Sequence, residues 1–269
     1  MDNKKKKLFL ILGISVIVIV IFMFAVFFSK NNNKTEKIIK DEKMVPFDKF
    51  NEIFNNTIYY ENSNISNVHK IDAGKDIVYI NNTSDKKTGS YYINANIPYL
   101  NINNERAKKI NQEITDLFFT KIAENKKSSN NGETIYTVDY AAYINQNVLS
   151  LIIKSSLKEN NSAQRIIIKT YTYNLASNEL ITLNELLTIK GVNIINAQKI
   201  INEEINKKAN ETEELEKTGY VVYKRKPNSS IYKIEKSNFY ILGKDNKIYV
   251  IYPYGNSNFT SETDVILLN

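Results

Sequence analysis

Few side chains in this sequence are equipped for covalent or metal chemistry. There is no Cys, which excludes thiol nucleophiles, disulfides and thiolate metal sites. The one His, His69, lies in the polar stretch Asn67-Val68-His69-Lys70. A single imidazole cannot form a two-histidine zinc site, and any Ser-His-Asp triad would have to use it. Its setting reads as an exposed loop. Glycan hydrolysis needs two carboxylates about 5–10 Å apart. Glu133, Asp139 and Glu179 fall at expected strand edges and could be recruited, but no motif selects them. The expectation is therefore no catalytic residue, no metal and no cofactor. Tyr is what the chain has in quantity, 18 residues. Tyr91, Tyr92, Tyr249, Tyr252 and Tyr254 stand in or beside expected hairpins and form the candidate ligand-binding set. Tyrosine suits both protein contacts and stacking on sugars.

The elements that would position these residues follow from periodicity. Phe47, Phe50 and Phe54 give a short amphipathic helix with Pro46 at its first turn, expected to dock on the domain. Ile77-Val78-Tyr79-Ile80 reads as a strand, and Asn81 to Ser90 as a turn-rich loop. Tyr91, Ile93, Ala95 and Ile97 alternate with polar residues, as in a strand with one wet face. Ala107, Ile110, Ile114, Leu117, Phe118 and Ile122 share one helix face, with Asn103 or Asn104 as cap, and Lys126 to Gly132 reads as a loop. Strands are expected at Thr134–Ile144, Val148–Leu157 and Arg165–Tyr173, the first two joined by the short turn Asn145-Gln146-Asn147. Thr182-Leu183-Asn184-Glu185 is a capping box. A second helix carries Ile194, Ala197, Ile201, Ile205 and Lys208 into the acidic run Glu211–Glu216, read as solvated surface. The cluster Lys224-Arg225-Lys226 is read as neutralising that run. A hairpin at Phe239–Leu242 and Lys247–Tyr252, with Gly243 as a bulge, precedes a last strand at Val265–Leu268. The fold class expected is α+β, an antiparallel sheet with two main amphipathic helices.

Ahead of all this, Leu8 to Phe28 is an unbroken apolar run behind Lys4-Lys5-Lys6-Lys7. At 1.5 Å per residue it spans roughly 30 Å, the thickness of a bilayer core. It is longer than a signal-peptide core and ends in Phe27-Phe28 where a cleavage site wants small residues, so it reads as an uncleaved anchor. The expected organisation is a cytoplasmic tail over 1–7, a single membrane span over 8–28, a stalk over 29–45 and an extracytoplasmic domain over 46–269. A boundary near residue 190 is the alternative subdivision. The expected setting is the cell membrane, with the C-terminal domain outside. The formal charge of +7 shrinks to +3 once residues 1–30 are set aside, since they hold five Lys and one Asp. No basic stripe interleaved with aromatics appears, so nucleic acid is not an expected partner.

The order of motifs resembles a known family. Ile97-Pro98-Tyr99-Leu100 precedes a helix with Ile110-Asn111. Asn147-Val148-Leu149-Ser150-Leu151 follows, then Tyr171-Thr172-Tyr173-Asn174-Leu175 leading into Glu179 to Leu187, and finally Ile248-Tyr249-Val250-Ile251-Tyr252-Pro253-Tyr254-Gly255. This is similar to the extracytoplasmic module of RsiV-type anti-sigma factors and of the PdaC peptidoglycan deacetylase N-terminal region, over about residues 76–269. The resemblance implies an α+β fold outside the membrane that recognises an envelope protein or peptidoglycan. It is the module without a sigma-binding segment or a catalytic domain. Two other readings accompany it: a wall-glycan hydrolase with paired carboxylates, and an accessory scaffold for another membrane protein.

Overall fold

Strand β4 (Thr134–Asn145) organises the main sheet. The computed structural model describes residues 43–63, 65–128, 133–254 and 262–269. The expected tail and anchor, and residues 29–42 of the expected stalk, lie outside these. Among the described residues no helix is long and apolar enough to cross a membrane. Lys43–Asn269 forms one compact unit.

Helix α1 (Phe47–Glu52) leads into β1 (Thr57–Glu61). Pro46 is its N-cap rather than its first helical residue, and Phe50 is buried against the sheet, so α1 docks on the domain. Strands β2 (Val78–Lys87) and β3 (Tyr91–Leu100) form a long hairpin. The stretch expected as a loop, Asn81 to Ser90, is therefore mostly strand. Its polar residues hide this because β2 is an edge strand with an open face, where backbone pairing to β3 substitutes for apolar burial.

Helix α2 (Glu105–Ile114), a π-helical turn (Thr115–Phe119) and α3 (Thr120–Ser128) run continuously. Asn104 caps the start, accepting from the Ala107 N–H at 2.8 Å. The buried residues Ile110, Ile114, Phe118 and Ile122 are spaced by four. In an α-helix each such step overshoots by about 40°, and the wider π turn resets the face toward the sheet. Helix α3 extends into the stretch expected as a loop after Lys126, and residues 129–132 lie outside the described set.

β4, β5 (Val148–Glu159) and β6 (Arg165–Asn174) pair antiparallel, and the two-residue β7 (Glu179–Leu180) closes that edge. Helix α4 (Leu183–Ile189) starts at the expected capping box, with Thr182 and Glu185 satisfying each other's backbone N–H groups. Helix α5 (Ile194–Lys217) contains the acidic run, which is exposed except for Thr212. β8 (Tyr240–Leu242), β9 (Ile248–Tyr254) and β10 (Glu262–Leu267) make a second, three-stranded sheet. The left-handed residue of the β8–β9 turn is Asn246, not Gly243; Gly243 is a paired position crowded by the Tyr249 ring.

The single antiparallel sheet of the sequence reading is thus two sheets, and the larger is mixed. Four layers result. Helices α2–α3 cover one face of the seven-stranded sheet, and the three-stranded sheet covers the other. Helices α4 and α5 cover the outer face of the smaller sheet. The strands alternate accordingly: Ile248, Val250 and Tyr252 face α4–α5 while Ile251 and Tyr249 face the large sheet. Leu183–Leu187 and Ala197–Ile205, on either side of residue 190, share one core. Burying each large side chain here, such as Phe118, stabilises by about 1.5–3 kcal/mol relative to exposure.

Candidate functional site

The mixed pairing of β4 creates a cleft. β3 runs parallel to β4 over Tyr91–Ala95, opposite Thr134–Val138, and then leaves it. β1 takes the same flank of β4 from Ala141 to Asn145, also parallel. Pro98, which has no N–H to donate, sits in the departing half of β3. At its end the Asn111 side chain replaces a neighbouring strand: its Oδ1 accepts from the Leu100 N–H at 2.8 Å, and its Nδ2 donates to the Leu100 carbonyl at 2.9 Å.

The split leaves an open cleft of about 940 Å³, large enough for a drug-sized ligand. One wall is Asn56 with Thr57, Ile58 and Tyr60 of β1. The opposite wall is Val78 to Asn81 on β2 with Tyr99 on β3, and Tyr140 contributes from β4. Asn56 is in the left-handed conformation, at φ 58°, which Asn tolerates. Its N–H donates to the Tyr140 carbonyl and its Oδ1 accepts from the Tyr140 N–H, while its Nδ2 donates to Asp139 at 2.9 Å. The turn into β1 is thereby locked to β4.

The third wall is the segment Gly74-Lys75-Asp76. Buried Asn101 holds it, donating to the carbonyls of Asp72 at 2.7 Å and Lys75 at 3.1 Å and accepting from the Asp72 N–H at 2.9 Å. Tyr79 and Tyr99 stack across β2–β3 with centroids 5.9 Å apart. The Lys75 ammonium lies 4.5 Å from the Tyr79 centroid and 3.7 Å from the Asp72 carboxylate. Tyr60 is 42% exposed, so part of its surface is open to a ligand. Burial, and then the negative charge of the Asp76 carboxylate, push the Tyr60 phenol above its ordinary value. Burial does the same to Tyr140. Both hydroxyls therefore stay protonated and able to donate at neutral pH.

The expected ligand-binding tyrosines are not brought together. Tyr91 and Tyr92 lie at the start of β3; the Tyr91 hydroxyl contacts Asp85 at 3.3 Å, and Tyr92 is 38% exposed. Tyr249 and Tyr252 are in the other sheet and point to opposite faces of it. Tyr252 is buried, its hydroxyl sharing a hydrogen with Ser237 at 2.8 Å, and burial pushes it up to about 12. The Tyr249 hydroxyl donates to Asp245 at 2.7 Å. Tyr254 is a strand residue of β9 whose side chain lies outside the described set. The tyrosines of the cleft (Tyr60, Tyr79, Tyr99, Tyr140) come from four strands and share no local motif.

The three candidate carboxylates are also dispersed. Glu133 and Asp139 are six residues apart along an extended segment, roughly 20 Å. Asp139 accepts from Asn56 and Asn96, and faces Lys154 across the β4–β5 pair. Glu179, on β7, forms an exposed ion pair with Arg106 at 2.8 Å. His69 lines a separate pocket of about 330 Å³ with Asn67, Asn103, Asn104 and Asn178. Among the described residues no group of three or more metal-ligating side chains occurs.

No family model and no curated protein matches the chain. Among solved structures, it is similar to a DUF3298 family protein from Pseudomonas aeruginosa PAO1, at 7% identity and a TM-score of 0.45, over 71% of this chain and 89% of that one. It is also similar to a DUF3298 family member from Bacteroides fragilis NCTC 9343, at 14% identity and a TM-score of 0.34, over the same shares.

Proposed function

We propose that this protein is a membrane-anchored, extracytoplasmic binding or sensing module, not an enzyme, that recognises a protein or cell-wall glycan at the bacterial envelope. The anchor is residues 8–28, on the strength of the apolar run behind four lysines. One observation carries the binding reading: a preformed cleft of ligand size, walled by four tyrosines from four strands, whose loop is fixed in place by buried Asn101. Asp76 is the carboxylate in its lining, and the paired-carboxylate arrangement of a hydrolase is not assembled from Glu133, Asp139 and Glu179.

Two measurements test this. The absence of Cys makes a single introduced thiol a clean topology reporter. Lys87→Cys places it at an exposed hairpin end. Labelling by a membrane-impermeant maleimide in intact cells is expected; labelling only after lysis overturns the extracytoplasmic placement. The full chain, immobilised in a non-glycosidic detergent, is then exposed to peptidoglycan and to envelope proteins at high salt. Retention that Tyr60→Ala abolishes is expected. Retention equal in wild type and variant removes the cleft from the reading.

A further inference from the structure

We infer that the cleft between β1 and the β2–β3 hairpin takes a neutral oligosaccharide. This rests on the cleft being the ligand site, and it names the chemistry of what enters. Charge argues first. The lining carries one ammonium, Lys75, and one carboxylate, Asp76, so the cleft has no net charge to attract a polyanion. Lys75 is moreover engaged by the Asp72 carboxylate and the Tyr79 ring, which leaves it a poor phosphate clamp. Polarity argues second. An apolar ligand would cover the Asp76 carboxylate and the polar side chain of exposed Asn81, at a desolvation cost. A sugar ring has the complementary character, with apolar C–H faces and a rim of hydroxyls.

The geometry supplies a partner for each part. Tyr60, which lines the cleft and is partly exposed, offers an aromatic surface for stacking. The Asp76 carboxylate lines the same cleft and has lone pairs that can accept from two sugar hydroxyls. The Asn81 amide, exposed on edge strand β2, offers both a donor and an acceptor. The Asn101-held loop keeps Lys75 and Asp76 in place before the ligand arrives, which lowers the ordering cost of binding.

The test is a titration of the full chain, in a non-glycosidic detergent, with chitotetraose, cellotetraose and heparin. Tyr60→Ala and Asp76→Asn are compared with wild type, and their melting temperatures are measured alongside. Saturable binding of a neutral tetrasaccharide is expected, weakened at least about tenfold by either substitution with melting unchanged. Absence of binding of both neutral sugars up to about 10 mM overturns the inference, as does binding that neither substitution weakens. Binding of heparin alone overturns it in favour of an anionic ligand. If the neutral sugars fail while an envelope protein is still retained in a Tyr60-dependent way, the saccharide is wrong and the cleft stands. If neither is retained, both readings fall.

Discussion

The most exacting prediction concerns a buried ion pair that joins parts of the chain 39 residues apart. Arg225 and Asp264 have side-chain exposures of 7% and 2%. The guanidinium donates to the carboxylate from Nε at 3.0 Å and from Nη2 at 2.8 Å, and the Tyr232 hydroxyl donates to the same carboxylate at 3.1 Å. The pair holds the irregular stretch after α5 against β10. Arg225→Met removes the counter-charge and leaves Asp264 buried, and breaking such a pair costs about 3–5 kcal/mol. At about 2–4 °C per kcal/mol for a domain of this size, melting should fall by roughly 6–20 °C. Burial already pushes the Asp264 carboxyl up, with Arg225 and then Tyr232 opposing it. Without Arg225 its folded pKa rises further. A carboxyl whose pKa is higher folded than unfolded favours the folded state at low pH and loses that contribution as pH rises. The Arg225→Met deficit should therefore grow from acid to neutral pH. Adding Asp264→Asn, which removes the charge but leaves an acceptor for Tyr232, should recover most of the loss. Urea unfolding of the four corners of this cycle at two pH values reads both effects. A single variant within about 1 kcal/mol of wild type, or a deficit independent of pH, would refute the reasoning.

Three further outcomes are expected. Asn111→Ala strips the Leu100 N–H and carbonyl of their partner and should cost about 1–3 kcal/mol, with Asn111→Asp, which keeps only the acceptor, in between; chemical unfolding measures both. Gly243→Ala places a Cβ 2.6 Å from Tyr249 Cε2 and 2.9 Å from Asp245 Oδ1, an overpacking that should cost about 1–3 kcal/mol by thermal melting. Burial lowers the Lys154 pKa, although Asp139 opposes this, so the unfolded chain binds more protons between the folded value and 10.5. Wild-type stability should rise with pH through that window, and Lys154→Met, followed by urea midpoint against pH, should lack the rise.

Much of the local structure was legible in the sequence because its causes are local. The face Ala107–Ile122, the capping box at Thr182, the Asn104 cap and the strands β4 to β6 all follow from spacing or from one side chain bonding a backbone group a few residues away. The expected loop at Asn81–Ser90 differs because strand pairing, not side-chain pattern, decides an edge strand. The basic cluster divided similarly. Lys224 does pair with Glu216 at 2.6 Å, but Arg225 turns inward to a carboxylate that no spacing rule connects to it.

The sequence by itself determined the main helices and strands β4 to β6, the apolar run at residues 8–28 and the absence of thiol chemistry, since each is a property of neighbouring residues. Only the tertiary structure decided that β1 and β3 share one flank of β4, and hence that a cleft opens between them. That choice depends on Pro98 lacking an N–H, on Asn111 capping Leu100 from another element, and on Asn56 locking β1 to Tyr140. Tyr79 and Tyr99 pair across the β2–β3 hairpin, but Tyr60 and Tyr140 join them only through this long-range pairing, whereas hairpin position alone pointed to Tyr91, Tyr92, Tyr249, Tyr252 and Tyr254.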